Sequence, residues 1–159
     1  MCIRFPEEEA RVVGRASIGV RGINLMKGDE VVAMQLNTQG SAIVFATEFG
    51  MGKRTDVNEF KAQHRGGKGV KCYKITEKTG DIVGAKCLDE DREIMLITNE
   101  GVIIRLNISD MRVLGRITSG VKLMDIDKDS DVRIASIAKV REDVEPEGEA
   151  PADGEADDK

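Results

Sequence analysis

An arginine, ten residues, a second arginine, three residues and then Gly-Val: this skeleton occurs three times in the 159-residue chain. The copies are Arg4…Arg15…Gly19-Val20, Arg54…Arg65…Gly69-Val70 and Arg105…Arg116…Gly120-Val121, with the second arginines 50 and then 51 positions apart. A period near fifty describes one supersecondary unit repeated in tandem, as in propellers and related arrays. Such a unit covers its faces only by stacking on its neighbours. Cations at matching points of each copy would form a row, a geometry suited to a regularly charged polymer such as DNA.

The segments between these landmarks read as β-structure. Val31–Leu36, Ser41–Ala46, Met51–Thr55, Glu93–Thr98 and Val102–Ile108 are short runs rich in β-branched residues, separated by Gly- and Asn-bearing turns. That alternation predicts antiparallel hairpins. Thr47, Gly50 and Arg54 recur 51 positions later as Thr98, Gly101 and Arg105, so the hairpin belongs to the repeat. Asp56–Gln63 could form a helical turn or two, and Asp131–Val140 resembles Glu30–Leu36. The expected fold is all-β, a propeller-like stack of about three blades with a repeat of ~51 residues. Met1 aligns with Val102, inside the hairpin, so the array is expected to extend beyond residue 1.

Charge divides the chain in two. Residues 142–159 hold nine acids and one base, whereas residues 1–141 hold 20 acids and 23 bases. The tail also carries Pro146 and Pro151 and almost no large apolar residue, which predicts disorder. A mildly basic folded part, 1–141, with an acidic appendage, 142–159, suits a nucleic-acid binder. The appendage could compete with DNA for the basic surface. No run reaches the ~20 apolar residues of a membrane span, and no signal peptide opens the chain, so a cytosolic protein is expected.

Catalytic and metal readings find little support. Cys2, Cys72 and Cys87 are odd in number and form no C-x-x-C pair, so they read as small hydrophobes. Gly67-Lys68 is followed by Gly69 rather than the Ser or Thr of a phosphate-binding P-loop. Asp125-x-Asp127-x-Asp129 lacks the Gly and bidentate Glu of a calcium loop, having Ser130 and Ser136 instead. His64, the single histidine, has no evident nucleophile to serve.

The most specific string is Gln63-His64-Arg65-Gly66-Gly67-Lys68-Gly69-Val70. Glycines at 66, 67 and 69 would allow positive φ and close approach of backbone N–H groups to a phosphate. Arg65 could grip a phosphate bidentately and Lys68 would act as a mobile point charge, with Lys61, Lys71 and Lys74 extending the patch. Such contacts position a duplex without reading bases. The arginines could instead bridge strands, a reading open for Arg4, Arg54 and Arg105 as well as for Arg15, Arg65 and Arg116.

Together with Ile75–Gly80, Ile94–Thr98 and Gly115–Leu123, that string resembles the C-terminal domain of the bacterial DNA gyrase A subunit, over about residues 1–141. The family heptad is Gln, a basic residue, Arg, Gly, Gly, a basic residue and Gly; here His64 takes the second place. The resemblance implies a β-pinwheel, a disc of about six blades whose basic rim wraps double-stranded DNA. It implies partners in the gyrase B subunit, in the rest of the A subunit, and so in an A2B2 tetramer working in the cytoplasm on the nucleoid. The holoenzyme would use ATP and Mg²⁺ to introduce negative supercoils, with no cofactor or catalytic residue in this segment. Two other readings stand beside it: the equivalent domain of topoisomerase IV, and a propeller-type protein-interaction module.

Overall fold

The computed structural model describes residues 1–127 and 129–140. Seven strands follow in order: β1 (Ala42–Thr47), β2 (Met51–Asp56), β3 (Ile82–Leu88), β4 (Glu93–Thr98), β5 (Ile103–Asn107), β6 (Val121–Lys122) and β7 (Ile134–Lys139). They form a four-stranded sheet, β3-β1-β2-β6, and a three-stranded sheet, β5-β4-β7. Every strand pairing within them is antiparallel. The described residues thus form the all-β, propeller-like architecture that the repeat predicts; the expected disordered tail, 142–159, lies outside them.

The repeat is visible in the backbone at several levels. The hairpins β1–β2 and β4–β5 are matching units, each clasped by a threonine. Thr47 Oγ1 donates to the Met51 carbonyl at 3.1 Å, and the Val102 N–H donates to Thr98 Oγ1 at 3.1 Å. Both first strands carry a register irregularity where the outer strand joins, at Ala46/Thr47 and at Ile97/Thr98. A single 3-10 turn recurs at Glu7–Glu9, Val57–Glu59 and Ile108–Asp110. The second of these is all the helix within Asp56–Gln63, opened by Asp56, whose carboxylate accepts from the Asn58 N–H at 2.8 Å.

Packing explains why β1 reads as a nearly continuous apolar run. Val44 and Ala46 enter one core with Leu88, Ile94, Leu96, Ile108, Ile134 and Ile137, which fills the space between the two sheets. Phe45 points the other way into a second core with Phe60, Cys72 and Tyr73, against which Ile43 and Cys2 pack. A strand covered on both faces loses the polar alternation of a half-exposed one. Each fully buried Val, Ile or Phe contributes on the order of 1.5–3 kcal/mol. Cys72 and Cys87 are buried free thiols and Cys2 is half-buried.

Val31–Leu36, expected as a strand, is in none. Val31 is 62% exposed and Met34 87%. Its counterparts in the later copies are β3 and β7, whose partners begin 40 and 41 residues before them, Ala42 before Ile82 and Glu93 before Ile134. No strand or bridge among the described residues pairs with Val31–Leu36. An extended segment without a ladder partner does not become a strand.

Candidate nucleic-acid interface

The Arg65 and Arg116 loops each lie against the copy before them, joined by matching hydrogen bonds. The Arg65 guanidinium NH1 donates to the Arg21 carbonyl at 3.0 Å, and Arg116 NH1 donates to the Lys71 carbonyl at 2.9 Å. The Asn24 N–H donates to the Gly67 carbonyl at 2.8 Å, and the Lys74 N–H to the Thr118 carbonyl at 3.0 Å. Each donor and acceptor recurs one period on. The loop of one copy therefore lies against the segment following Gly-Val in the copy before it. The Arg65 and Arg116 turns thereby become successive members of a row.

The Gly-Val positions lock that row. Gly69 and Gly120 take φ of 69° and 75°, in the left-handed region. A Cβ at Gly69 would collide with the Cys2 carbonyl oxygen, and one at Gly120 with the Gly52 carbonyl oxygen and the Tyr73 hydroxyl. Only glycine meets both demands. Beside them, Val70 and Cys2 exchange two backbone hydrogen bonds of 2.8 Å, while Val121 pairs with Gly52 to join β6 to β2.

Within the heptad, Gly66 has φ 78°, but Gly67 is not among the positive-φ glycines. Its absent side chain leaves room over Ile3, whose Cδ1 would lie 3.6 Å from a Cβ there, an ordinary contact. The N–H groups expected to face a phosphate are occupied in this conformation: Gly66 donates to the Gly22 carbonyl at 2.6 Å, and Arg65 donates to Glu9 Oε2 at 2.9 Å. Arg65 Nε also donates to the Glu9 carbonyl at 2.9 Å. His64 Nδ1 lies 3.0 Å from Glu9 Oε1. The Arg65 N–H, foremost, and His64 hold the Glu9 carboxyl below the usual carboxylate range.

The arginines thus divide into roles. Arg65 and Arg116 are half-buried ties between copies, and Arg116 Nε is buried without a partner among the described residues. Arg15 is exposed in its turn. Arg4 NH1 donates to the Val57 and Phe60 carbonyls, both at 3.2 Å; Arg54 pairs with Glu90 at 3.5 Å; Arg105 Nε donates to Glu93 at 2.7 Å. By contrast, Lys61, Lys68, Lys71 and Lys74 are exposed, and their ammonium groups have no hydrogen bond or ion pair among the described residues. No acid interrupts the sequence from Phe60 to Thr76.

One cation lies beneath the row with no signal in the sequence to mark it. Lys53, on β2, is fully buried. Its Nζ donates to the Gly115 carbonyl at 3.0 Å, the Arg116 carbonyl at 2.7 Å and Thr118 Oγ1 at 3.2 Å. It also lies 4.9 Å from the Tyr73 ring centroid. Desolvation pushes its pKa down to about 8. A lysine flanked by Gly and Arg in a strand gives no cue of this kind unless the copies are superposed.

The profile of the family described as DNA gyrase C-terminal domain, beta-propeller, matches residues 1–37, 41–89 and 92–141. The chain belongs to the DNA gyrase C-terminal domain family. It is 42% identical over 149 residues to the DNA gyrase A subunit of Staphylococcus aureus (strain MRSA252), covering 92% of this chain and 17% of that protein. Among solved structures it is similar to the C-terminal domain of DNA topoisomerase IV, with a TM-score of 0.78 and 30% identity over 86% of this chain and 42% of that one. The DNA gyrase A C-terminal domain is matched with a TM-score of 0.78 and 26% identity, over 85% of this chain and 45% of that one. Seen within the gyrase C-terminal domain family, the adjoining arginine turns and uncommitted lysines are features of one propeller-type repeat rather than of a pocket. The chain spans 17% of its staphylococcal relative, so family membership describes this segment.

Proposed function

We propose that this chain is a DNA-binding and DNA-wrapping segment of a DNA gyrase A subunit. In that role it works within an ATP-dependent type II topoisomerase that introduces negative supercoils, alongside the B subunit in an A2B2 assembly on the nucleoid. ATP and Mg²⁺ act elsewhere in that holoenzyme, and no residue of this segment touches the reacting phosphodiester. The observation that carries the reading is a single acid-free stretch whose Lys61, Lys68, Lys71 and Lys74 ammonium groups are uncommitted and which lies against the adjoining Arg116 loop. Arg65 and Arg116 hold the row in register and offer their remaining donors to phosphates, and Arg15 extends it. Gly66, Gly67 and Gly69 keep the loop free of bulk. Smooth bending of a 20–30 base-pair site costs on the order of 1–6 kcal/mol, which several such contacts in a row can offset.

A fluorescence-anisotropy titration of duplex DNA against salt tests this. The log–log slope is expected to be near −0.9 for each phosphate neutralised, and each lysine-to-alanine variant should reduce its magnitude by about that amount. A slope near zero would favour a propeller-type protein-interaction module. A second reading, the corresponding domain of topoisomerase IV, draws on the 30% identity to that structure, while the 42% identity to a gyrase A subunit supports the first more strongly. Relaxing a plasmid in the presence of the chain separates the two: handed wrapping shifts the linking number, and DNA recruitment without wrapping does not.

A further inference from the structure

Superposing the copies shows that the position before the first arginine is Ile3, Lys53 and Ile104. The position four after the glycine of Gly-Val in the same copies is Ile23, Tyr73 and Met124, so the middle copy alone replaces an apolar pair by a lysine and a tyrosine. The substituted pair floors the Arg116 loop. Lys53 reaches two carbonyls and a hydroxyl of residues 115–118, and the Tyr73 hydroxyl donates to the Ser119 carbonyl at 2.7 Å. Ile3 floors the preceding loop, under Gly67.

We propose that Lys53 is a positioning residue for duplex DNA at the Arg116 loop: its ammonium fixes the backbone of residues 115–118 from below and supplies positive charge under the loop, so that duplex affinity falls as the ammonium loses its proton. The assignment rests on the DNA-binding reading and adds to it a buried, titratable contributor. The groups facing Lys53 are the Cys72 thiol, the Glu59 carboxylate and the Arg116 guanidinium, besides the Tyr73 and Phe45 rings. Desolvation opposes its charge most, Arg116 adds to that, and Cys72 and Glu59 favour the charged form. No ion pair fixes it in one state: its three hydrogen-bond partners are neutral oxygens. A phosphate arriving at the loop would therefore raise its proton affinity, and binding would take up a proton where the free chain is partly deprotonated.

The test uses the 159-residue chain and a 40-base-pair duplex at low, fixed salt, between pH 7.5 and 9.5. The affinity of the parent is expected to fall about fivefold across that range, the scale of one partly screened charge pair. Lys53→Ile, which installs the residue of the other two copies, should bind more weakly at pH 7.5 and lose most of the pH dependence. In the parent, NMR of the Lys53 side chain should show a midpoint near 8 that moves upward when duplex is added. An unchanged midpoint, or a Lys53→Ile variant with the parent's affinity and pH profile, would overturn the assignment. Amide exchange of residues 115–120 without DNA separates this outcome from failure of the DNA reading. If the parent binds no duplex, DNA binding falls, while faster exchange in Lys53→Ile still reports that Lys53 holds the loop.

Discussion

The loops at 65–70 and 116–121 carry the same skeleton, donate to equivalent carbonyls of the preceding copy and close on the same kind of glycine. What holds each one down is different. The first rests on the apolar Ile3 and is gripped from above by Glu9, a carboxylate that accepts from the Arg65 N–H. The second rests on Lys53 and Tyr73, and Arg116 Nε remains buried and unpaired among the described residues. Negative charge on the outside of one loop and positive charge on the inside of the next have opposite consequences for a polyanion. The fold therefore fixes where the loops lie, while a few substitutions at repeat-equivalent positions set how strongly each attracts phosphate.

The largest effects should come from the feature the two loops share. Gly120→Ala forces a side chain into φ 75° and against the Gly52 carbonyl and Tyr73 hydroxyl, and should cost on the order of 2–4 kcal/mol. Gly69→Ala, at φ 69° and against the Cys2 carbonyl and the Ile3 backbone nitrogen, should cost a similar amount. Thermal denaturation of both variants measures this. Losses under about 0.5 kcal/mol, the size of an ordinary surface change, would show that the loops are not locked by their Gly-Val positions.

Next comes the cation under the second loop. The folded-state pKa of Lys53 lies below its ordinary 10.5, so above pH 8 the unfolded chain keeps a proton that the folded chain has released. Stability then rises with pH, and between pH 7.5 and 9 the gain should be about 1 kcal/mol. Above pH 9 the Cys2 thiol, pushed up to about 11 by burial, and the Tyr73 phenol, also raised by burial, act in the opposite sense. The informative window is thus pH 7.5–9. Lys53→Ile should be more stable than the parent at pH 7.5 by about 1–2 kcal/mol, with the rise toward pH 9 abolished. Chemical denaturation at several pH values checks both. A destabilised variant would mean that the three hydrogen bonds outweigh the cost of burying the charge.

The sequence carries the period, both hairpins and the all-β class, because a tandem repeat writes each element more than once. Thr47/Thr98 and Gly50/Gly101 mark the same clasped turn, and the structure places them one period apart. β3 is not legible in the same way: Ile82–Leu88 is interrupted by Gly84 and Lys86, and its strand character becomes plain only beside β7. Val31–Leu36 misleads for the converse reason, since its pattern is right and no strand among the described residues pairs with it. At the site, the sequence locates the loops but not the direction of their donors. Arg65 looks free to meet a phosphate until Glu9, 56 positions away, is seen to occupy its N–H. Lys53 is silent because burial of a charge depends on what the fold brings over it, here residues 115–118.

The smallest effect sharpens the comparison from the other side. Glu9 has a depressed pKa, so the contact it makes is fully present above the ordinary carboxylate range and is lost as pH falls through its folded-state value. Acidification should release the Arg65 loop by freeing its N–H from the carboxylate, while the Arg116 loop, held by Lys53 and Tyr73, accepts no such carboxylate contact among the described residues. Glu9→Gln should mimic that release at neutral pH. The amide keeps an acceptor for the Arg65 N–H but removes a negative charge from the face that meets phosphate, so duplex affinity should rise about twofold at low salt and converge with the parent at high salt. Amide chemical shifts of residues 64–69 against 115–120 between pH 3 and 7, read beside anisotropy titrations, measure the two arms. Equal acid sensitivity in both loops would show that the carboxylate is not what distinguishes them.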